Sequence, residues 1–129
     1  MCSSDLTRRL AADAIEAWGG VDVLVNNAGI PKRVRFDNLT MPEVEETMRV
    51  NFLSQAELTL ALLPQMLARK SGLVVNVSSL GGRVAIANES AYNASKFALA
   101  GWSEGMRIDI EGTGVGVKLV LPEIGRAHV

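Results

Sequence analysis

The sequence predicts an α/β protein in which a parallel sheet is wound between long helices. Three short runs carry most of that expectation: 21–25, 73–77 and 115–121 are nearly continuous in apolar residues and rich in valine. Such runs mark strands buried on both faces. Segments of helical length separate them, and strands spaced by helices imply right-handed crossovers and a parallel sheet. No linker-like stretch, internal repeat or low-complexity segment divides the 129 residues, so they form one domain or part of one.

The elements follow in chain order. A first helix is expected from Thr7 to Trp18, stopped by Gly19-Gly20. The first strand, Val21 to Val25, runs into Asn26-Asn-Ala-Gly29. Thr40-Met-Pro-Glu43 has the form of a capping box, with a Thr cap, Pro in the first turn and Glu at the third position. The helix it opens is expected to reach Arg69, with a kink at Pro64. The second strand, Leu73 to Val77, ends at Ser78-Ser79. A last helix spans Ser90 to Glu111, before Gly112 and Gly114, and the third strand follows from Val115 to Leu121.

Composition narrows the function. Apolar residues make up 48% of the chain, enough for a real core, and the net charge of −1 gives no broad pull toward nucleic acid or an anionic membrane. No apolar run approaches the roughly 20 residues that span a bilayer. The richest stretch, Leu58 to Leu67, is broken by Thr59, Pro64 and Gln65. The N-terminus lacks the zones of a secretory signal, so a cytoplasmic protein is expected, without membrane or nucleic-acid partners.

Both ends read as foreign. Residues 123–129 can be back-translated to AG-ATC-GGA-AGA-GCA-CAC-GTC, a string that matches a common sequencing adapter, and residues 2–6 to its other end. Native sequence is therefore expected over 7–122, with 1–6 and 123–129 adapter-derived. The single cysteine, Cys2, and the single histidine, His128, both lie in these ends. The remainder can build neither a Cys/His zinc site nor a Ser-His or Cys-His pair, and no metal site is expected.

In open parallel sheets, ligands bind beyond the carboxyl ends of the strands. Tyr92-Asn-Ala-Ser-Lys96 opens the last helix, and residues four apart share a helical face. A free phenol titrates near pH 10 and is a poor acid-base catalyst at neutrality. A fixed positive charge beside such a phenol favours the phenolate and lets it exchange protons with a substrate oxygen. Taken alone, the spacing also fits a half-buried aromatic beside a surface lysine. Ser79 lies 13 positions before Tyr92, where its hydroxyl could orient a carbonyl; a turn serine before Gly81-Gly82 fits as well. Strand alternation points Ser78 and Ser79 in opposite directions.

Asn26-Asn-Ala-Gly29 lets backbone approach a ligand closely, with the asparagines bracing the loop, or it is a plain Asn/Gly turn. Asn51 shares one face of the long helix with Val44 and Met48. An asparagine on an apolar stripe needs its amide satisfied, so it either serves the site, by holding a water or bending the helix, or caps a neighbouring backbone group.

Together, in this order and at these separations, Asn26-Asn-Ala-Gly29, Asn51, Ser79 and Tyr92-x-x-x-Lys96 resemble the short-chain dehydrogenase/reductase family over essentially all of 7–122. The resemblance implies a Rossmann-type doubly wound sheet, here incomplete, and an oxidoreductase acting on an alcohol or ketone with NAD or NADP. It implies that Tyr92 is the acid or base, that Lys96 assists it and holds the nicotinamide ribose, that Ser79 steadies the substrate and that Asn51 positions a water. It assigns cofactor contacts to Asn26, Ala28 and Gly29 as well as to Tyr92 and Lys96, and it implies a homodimer or homotetramer built on the long helices, with Ala94, Ala98 and Trp102 compatible with such packing.

Two departures matter. The family's T-G-x-x-x-G-x-G phosphate loop and the residue that selects NAD or NADP are absent, and the Pro-Gly after the third strand is cut at Pro122. The chain by itself is therefore expected to be inactive, its pyrophosphate lacking a helix N-terminus. A catalytically silent binding protein and a truncated, non-functional fragment are the alternatives. Leu80 to Glu89 is expected to edge the substrate pocket, with Val84, Ala85 and Ile86 making it apolar. The basic stretch Pro31-Lys-Arg-Val-Arg35 names no substrate.

Overall fold

The computed structural model describes residues 3–79 and 85–122. Cys2, Leu80, Gly81, Gly82, Val84, His128 and the whole of 123–129 lie outside the described residues, so the expectations placed on them have no structural counterpart here.

Helix α1 spans Ser3–Trp18, four residues longer at its start than expected. It closes at Gly19, whose φ of +77° suits glycine and whose N–H donates to the Ile15 carbonyl at 2.7 Å. Strand β1 is Val23–Asn26. Helix α2, Met41–Met48, opens on the expected capping box: Thr40 Oγ1 accepts from the Glu43 N–H, and Glu43 Oε1 accepts from the Thr40 N–H at 3.0 Å. Those bonds, the Thr40 backbone contact first, hold the Glu43 carboxyl below its ordinary range.

Helix α3 is Ser54–Arg69, and between it and α2 lies a widened π-type turn, Arg49–Leu53. Pro64 sits inside α3, and a separate change of winding falls around Asn51. The Ser54 N–H reaches back five residues to the Arg49 carbonyl, as in a bulge that inserts one residue into a helix. Strand β2 is Gly72–Val77, helix α4 Ser90–Asp109 and strand β3 Val115–Val120.

The three strands form a parallel sheet in the order β1-β2-β3, with Leu24 opposite Val74 and Val74 opposite Val117. Strand order follows chain order without reversal, so both right-handed crossovers place their helices on one side. That side holds the apolar core: Leu24 and Val74 from the sheet, Leu62 and Met66 from α3, Ala11 from α1, with Ile110 and Val115.

The expectation of strands buried on both faces fails for β1. Leu24 and Asn26 are buried, but Val23 and Val25 on the other face are 51% and 56% exposed. Among the described residues, all the helix packing comes from one side. Apolar sequence on both faces reflects what a strand can tolerate, whereas actual cover depends on which elements reach it.

Candidate active site

The carboxyl ends of the strands gather nearly every residue singled out above. A cavity of about 480 Å³ opens there, lined by Asn27, Gly29, Ser79, Tyr92 and Lys96 among others. Helix α4 supplies the two charged or phenolic groups. Lys96 is 4% exposed, and its Nζ lies 5.7 Å from the centre of the Tyr92 ring. That ammonium donates a long bond, 3.4 Å, to the Val77 carbonyl, and among the described residues it has no carboxylate partner. Burial pushes its pKa below the ordinary lysine range.

Asn51 is fully buried and turns its amide outward from the π turn. Its Oδ1 accepts from the Ile30 N–H at 2.7 Å, while Nδ2 donates to the Ile30 carbonyl at 3.0 Å and to Ser95 Oγ at 3.1 Å. Ser95 Oγ in turn donates to the Tyr92 carbonyl at 2.7 Å. Asn51 thus ties the loop after β1 to the second turn of α4. Of the two readings of this residue, the geometry shows the capping one: its amide satisfies both backbone groups of Ile30. A Cβ added at Gly29 would sit in ordinary contact with Lys96 Nζ at 3.4 Å and Asn51 Oδ1 at 3.5 Å, so the glycine leaves open a gap beside the lysine that a side chain would fill.

The Asn26–Gly29 segment divides its work. Asn26 Nδ2 donates to Thr59 Oγ1 at 3.0 Å and to Asn76 Oδ1 at 2.8 Å, so its buried amide braces the sheet against α3. Asn27 and Gly29 line the cavity. The Ala28 carbonyl accepts from Gln55 Nε2.

Ser78 and Ser79 are both buried and both line the cavity, because β2 ends at Val77 and strict alternation ends with it. The Ser78 hydroxyl is spent on the Lys96 carbonyl at 3.2 Å. The two lips of the cavity are joined by the Val34 N–H donating to the Asn88 carbonyl at 2.8 Å and by an Arg33–Glu89 ion pair at 3.8 Å. Ala85 and Ile86 are exposed, and Ile86 lines the cavity, as expected of an apolar edge.

The basic stretch is not a free cationic patch: Lys32 pairs with Glu43 and Arg35 with Asp37. Sequence reasoning missed Gln55, Thr59, Asn76, Ser95 and Ser103. One signal was available, since Gln55 and Thr59 continue the Asn51 stripe at four-residue steps.

With this geometry in place, the comparisons agree on a class. The family model described as short chain dehydrogenase matches residues 1–127. The chain belongs to the short-chain dehydrogenase family. Among individual relatives, it is 42% identical over 113 residues to the ketoacyl reductase HetN of a Nostoc strain, covering 88% of this chain and 39% of that protein. It is 37% identical over 112 residues to the mouse dehydrogenase/reductase SDR family member 7B, covering 87% of this chain and 35% of that protein.

The chain superimposes on a short-chain dehydrogenase from Streptomyces avermitilis with a TM-score of 0.90 and 40% identity, covering 95% of this chain and 46% of that one. A metagenomic short-chain oxidoreductase in complex with NADP gives 0.88 and 34%, covering 92% and 54%. The sheet and its helices are thus a Rossmann-like α/β unit. The chain spans about two fifths of the length of the curated relatives it matches. No helix among the described residues is long and apolar enough to cross a membrane.

Proposed function

We propose that the complete gene product carrying these residues is an NAD- or NADP-dependent oxidoreductase acting on a small alcohol or ketone, with Tyr92 exchanging the proton. The observation that carries this is Lys96: a buried ammonium, without a counter-charge among the described residues, set beside the only tyrosine in the chain at a strand-end cavity. Burying an unpaired charge is costly, and such groups cluster at functional sites.

The residues fit a nicotinamide nucleotide. Gly29 keeps a cradle open beside Lys96, and Asn27 and Gly29 offer backbone along the wall. When bound, that cofactor supplies or accepts the hydride. The protein's own groups do the rest. Lys96 holds a positive charge next to the phenol and is placed to donate to ribose hydroxyls. Tyr92 delivers or takes the proton at the substrate oxygen. Ser79 orients that oxygen, and Asn51 fixes the loop that carries Gly29. The NADP-bound neighbour supports a nicotinamide cofactor and leaves NAD and NADP equal candidates. A homodimer or homotetramer is proposed for the complete protein on the strength of the family alone.

Tyr92→Phe tests the assignment. Turnover should fall by about 10² to 10⁴, the usual worth of a positioned acid or base, while cofactor affinity holds. Retained turnover would sink it. Failure of the wild type to bind either nucleotide would sink the whole reading.

A further inference from the structure

Three side chains at four-residue steps along one helical face, Asn51, Gln55 and Thr59, each grip a different residue of the segment leaving β1. Asn51 holds both backbone groups of Ile30, Gln55 holds the Ala28 carbonyl, and Thr59 accepts from the Asn26 amide. The match is metric. Four helical residues rise about 6 Å, close to the roughly 6.6 Å covered by two residues of extended chain. A helix running against the segment therefore meets every second residue. The outer two rungs serve Asn51, already placed in the site, and the Asn26 brace. The middle rung has no role so far.

Gln55 is 4% exposed, yet its Oε1 has no partner. Its orientation is nonetheless fixed, since only the amide nitrogen can face a carbonyl. Leaving an acceptor buried and unpaired costs free energy, and a methionine would fill similar space without that cost. Packing alone therefore does not call for glutamine here. The peptide it holds does. The peptide bonds of the described residues are trans, and in a planar trans peptide the N–H points opposite to the C=O. With the Ala28 carbonyl drawn toward α3, the Gly29 N–H faces away from α3. Gly29 lines the cavity, and no described residue accepts that N–H.

We infer that Gln55 is a positioning residue for the cofactor wall: by holding the Ala28 carbonyl, it presents the Gly29 N–H to a nicotinamide nucleotide in the cavity. The inference rests on the reading of the cavity given above. It assigns a specific task to a side chain that touches neither Tyr92 nor Lys96.

The test uses the complete gene product and both nucleotides. Dissociation constants are measured by reduced-nicotinamide fluorescence, and kcat is measured at saturating cofactor on any ketone the wild type reduces. Gln55→Met should weaken cofactor binding about tenfold, as expected for one lost hydrogen bond. Its kcat should stay within about threefold, the pattern of an interaction made equally in ground and transition states. Thermal unfolding without cofactor should change little, because the variant removes the orphaned Oε1 together with the bond to the Ala28 carbonyl.

Gln55→Thr guards against a misfolded first variant. Its hydroxyl can bond to the helix carbonyl one turn back, and it too releases Ala28. The same weakening should follow. Unchanged affinity in a folded variant overturns the inference. So does loss of thermal stability with affinity intact, which is the mark of a purely structural amide. Failure of the wild type to bind either nucleotide removes the reading of the cavity itself, and the inference falls with it.

Discussion

The interface between sheet and helices is two different materials along its length. At the amino ends of the strands it is apolar: Met66, Leu62, Leu24, Val74 and Ile110 pack with no polar partner to satisfy. At the carboxyl ends it is a polar seam. Asn26, Asn76, Thr59 and Ser103 form a buried chain of hydrogen bonds, and Asn51 and Ser95 continue that polar character to the start of α4. Apolar packing is non-directional and tolerates exchange at constant volume. A buried polar network holds its members at fixed distances and is costly to leave half-satisfied. The first half keeps the unit together. The second spends stability to fix where the loop and α4 meet, which is where Lys96 and Gly29 face each other.

The contrast can be broken at either end. Met66 is fully buried at the centre of the apolar half. Met66→Ala should cost about 2–5 kcal/mol in denaturant unfolding of the complete protein, and Met66→Leu under about 1.5 kcal/mol. Equal losses from both would show that this half is as exacting as the seam.

Asn76 is the seam's central link, accepting from Asn26 and donating to Ser103 at 2.8 Å each. Asn76→Leu keeps the volume and should still cost about 1–3 kcal/mol, because it takes one hydrogen bond from each of two buried partners. A near-neutral result would mean that these hydroxyl and amide groups find other partners, and that the seam does not set distances.

The smallest effect sharpens the comparison at the site itself. Burial lowers the pKa of Lys96, so between that lowered value and about 10.5 the unfolded chain binds more protons than the folded one. Stability then rises with pH across that window. Below it, folding bears the full cost of a buried charge. Lys96→Met removes the group and should unfold later than wild type at neutral pH, with the gap closing as pH approaches 10.5. Urea midpoints of the two proteins at several pH values would show it, and a constant gap would contradict the buried-charge account.

Much of this was legible beforehand. The valine-rich runs located all three strands to within two residues at either end, since apolar composition registers burial directly. The capping box at Thr40 and Glu43 was readable because its partners lie three residues apart. Tyr92 and Lys96 were found together for the same reason, four residues apart on one helix. The bare face of β1 was not legible: its valines are as apolar as any core residue, and cover is a property of the neighbours. The π turn escaped notice because no residue type in Arg49–Leu53 requires it.

By itself, then, the sequence determined the α/β class, the order of elements, and the pairs of residues that meet within one turn of helix. Local spacing and local composition decide those things, and they are written along the chain. Tertiary structure alone decided that Asn51, Gln55 and Thr59 climb one helix in step with the loop after β1, and that Asn26 braces while Asn27 and Gly29 face the cavity. Those contacts join residues 21 to 50 positions apart. They exist only once the sheet has brought a helix and a loop to the same depth.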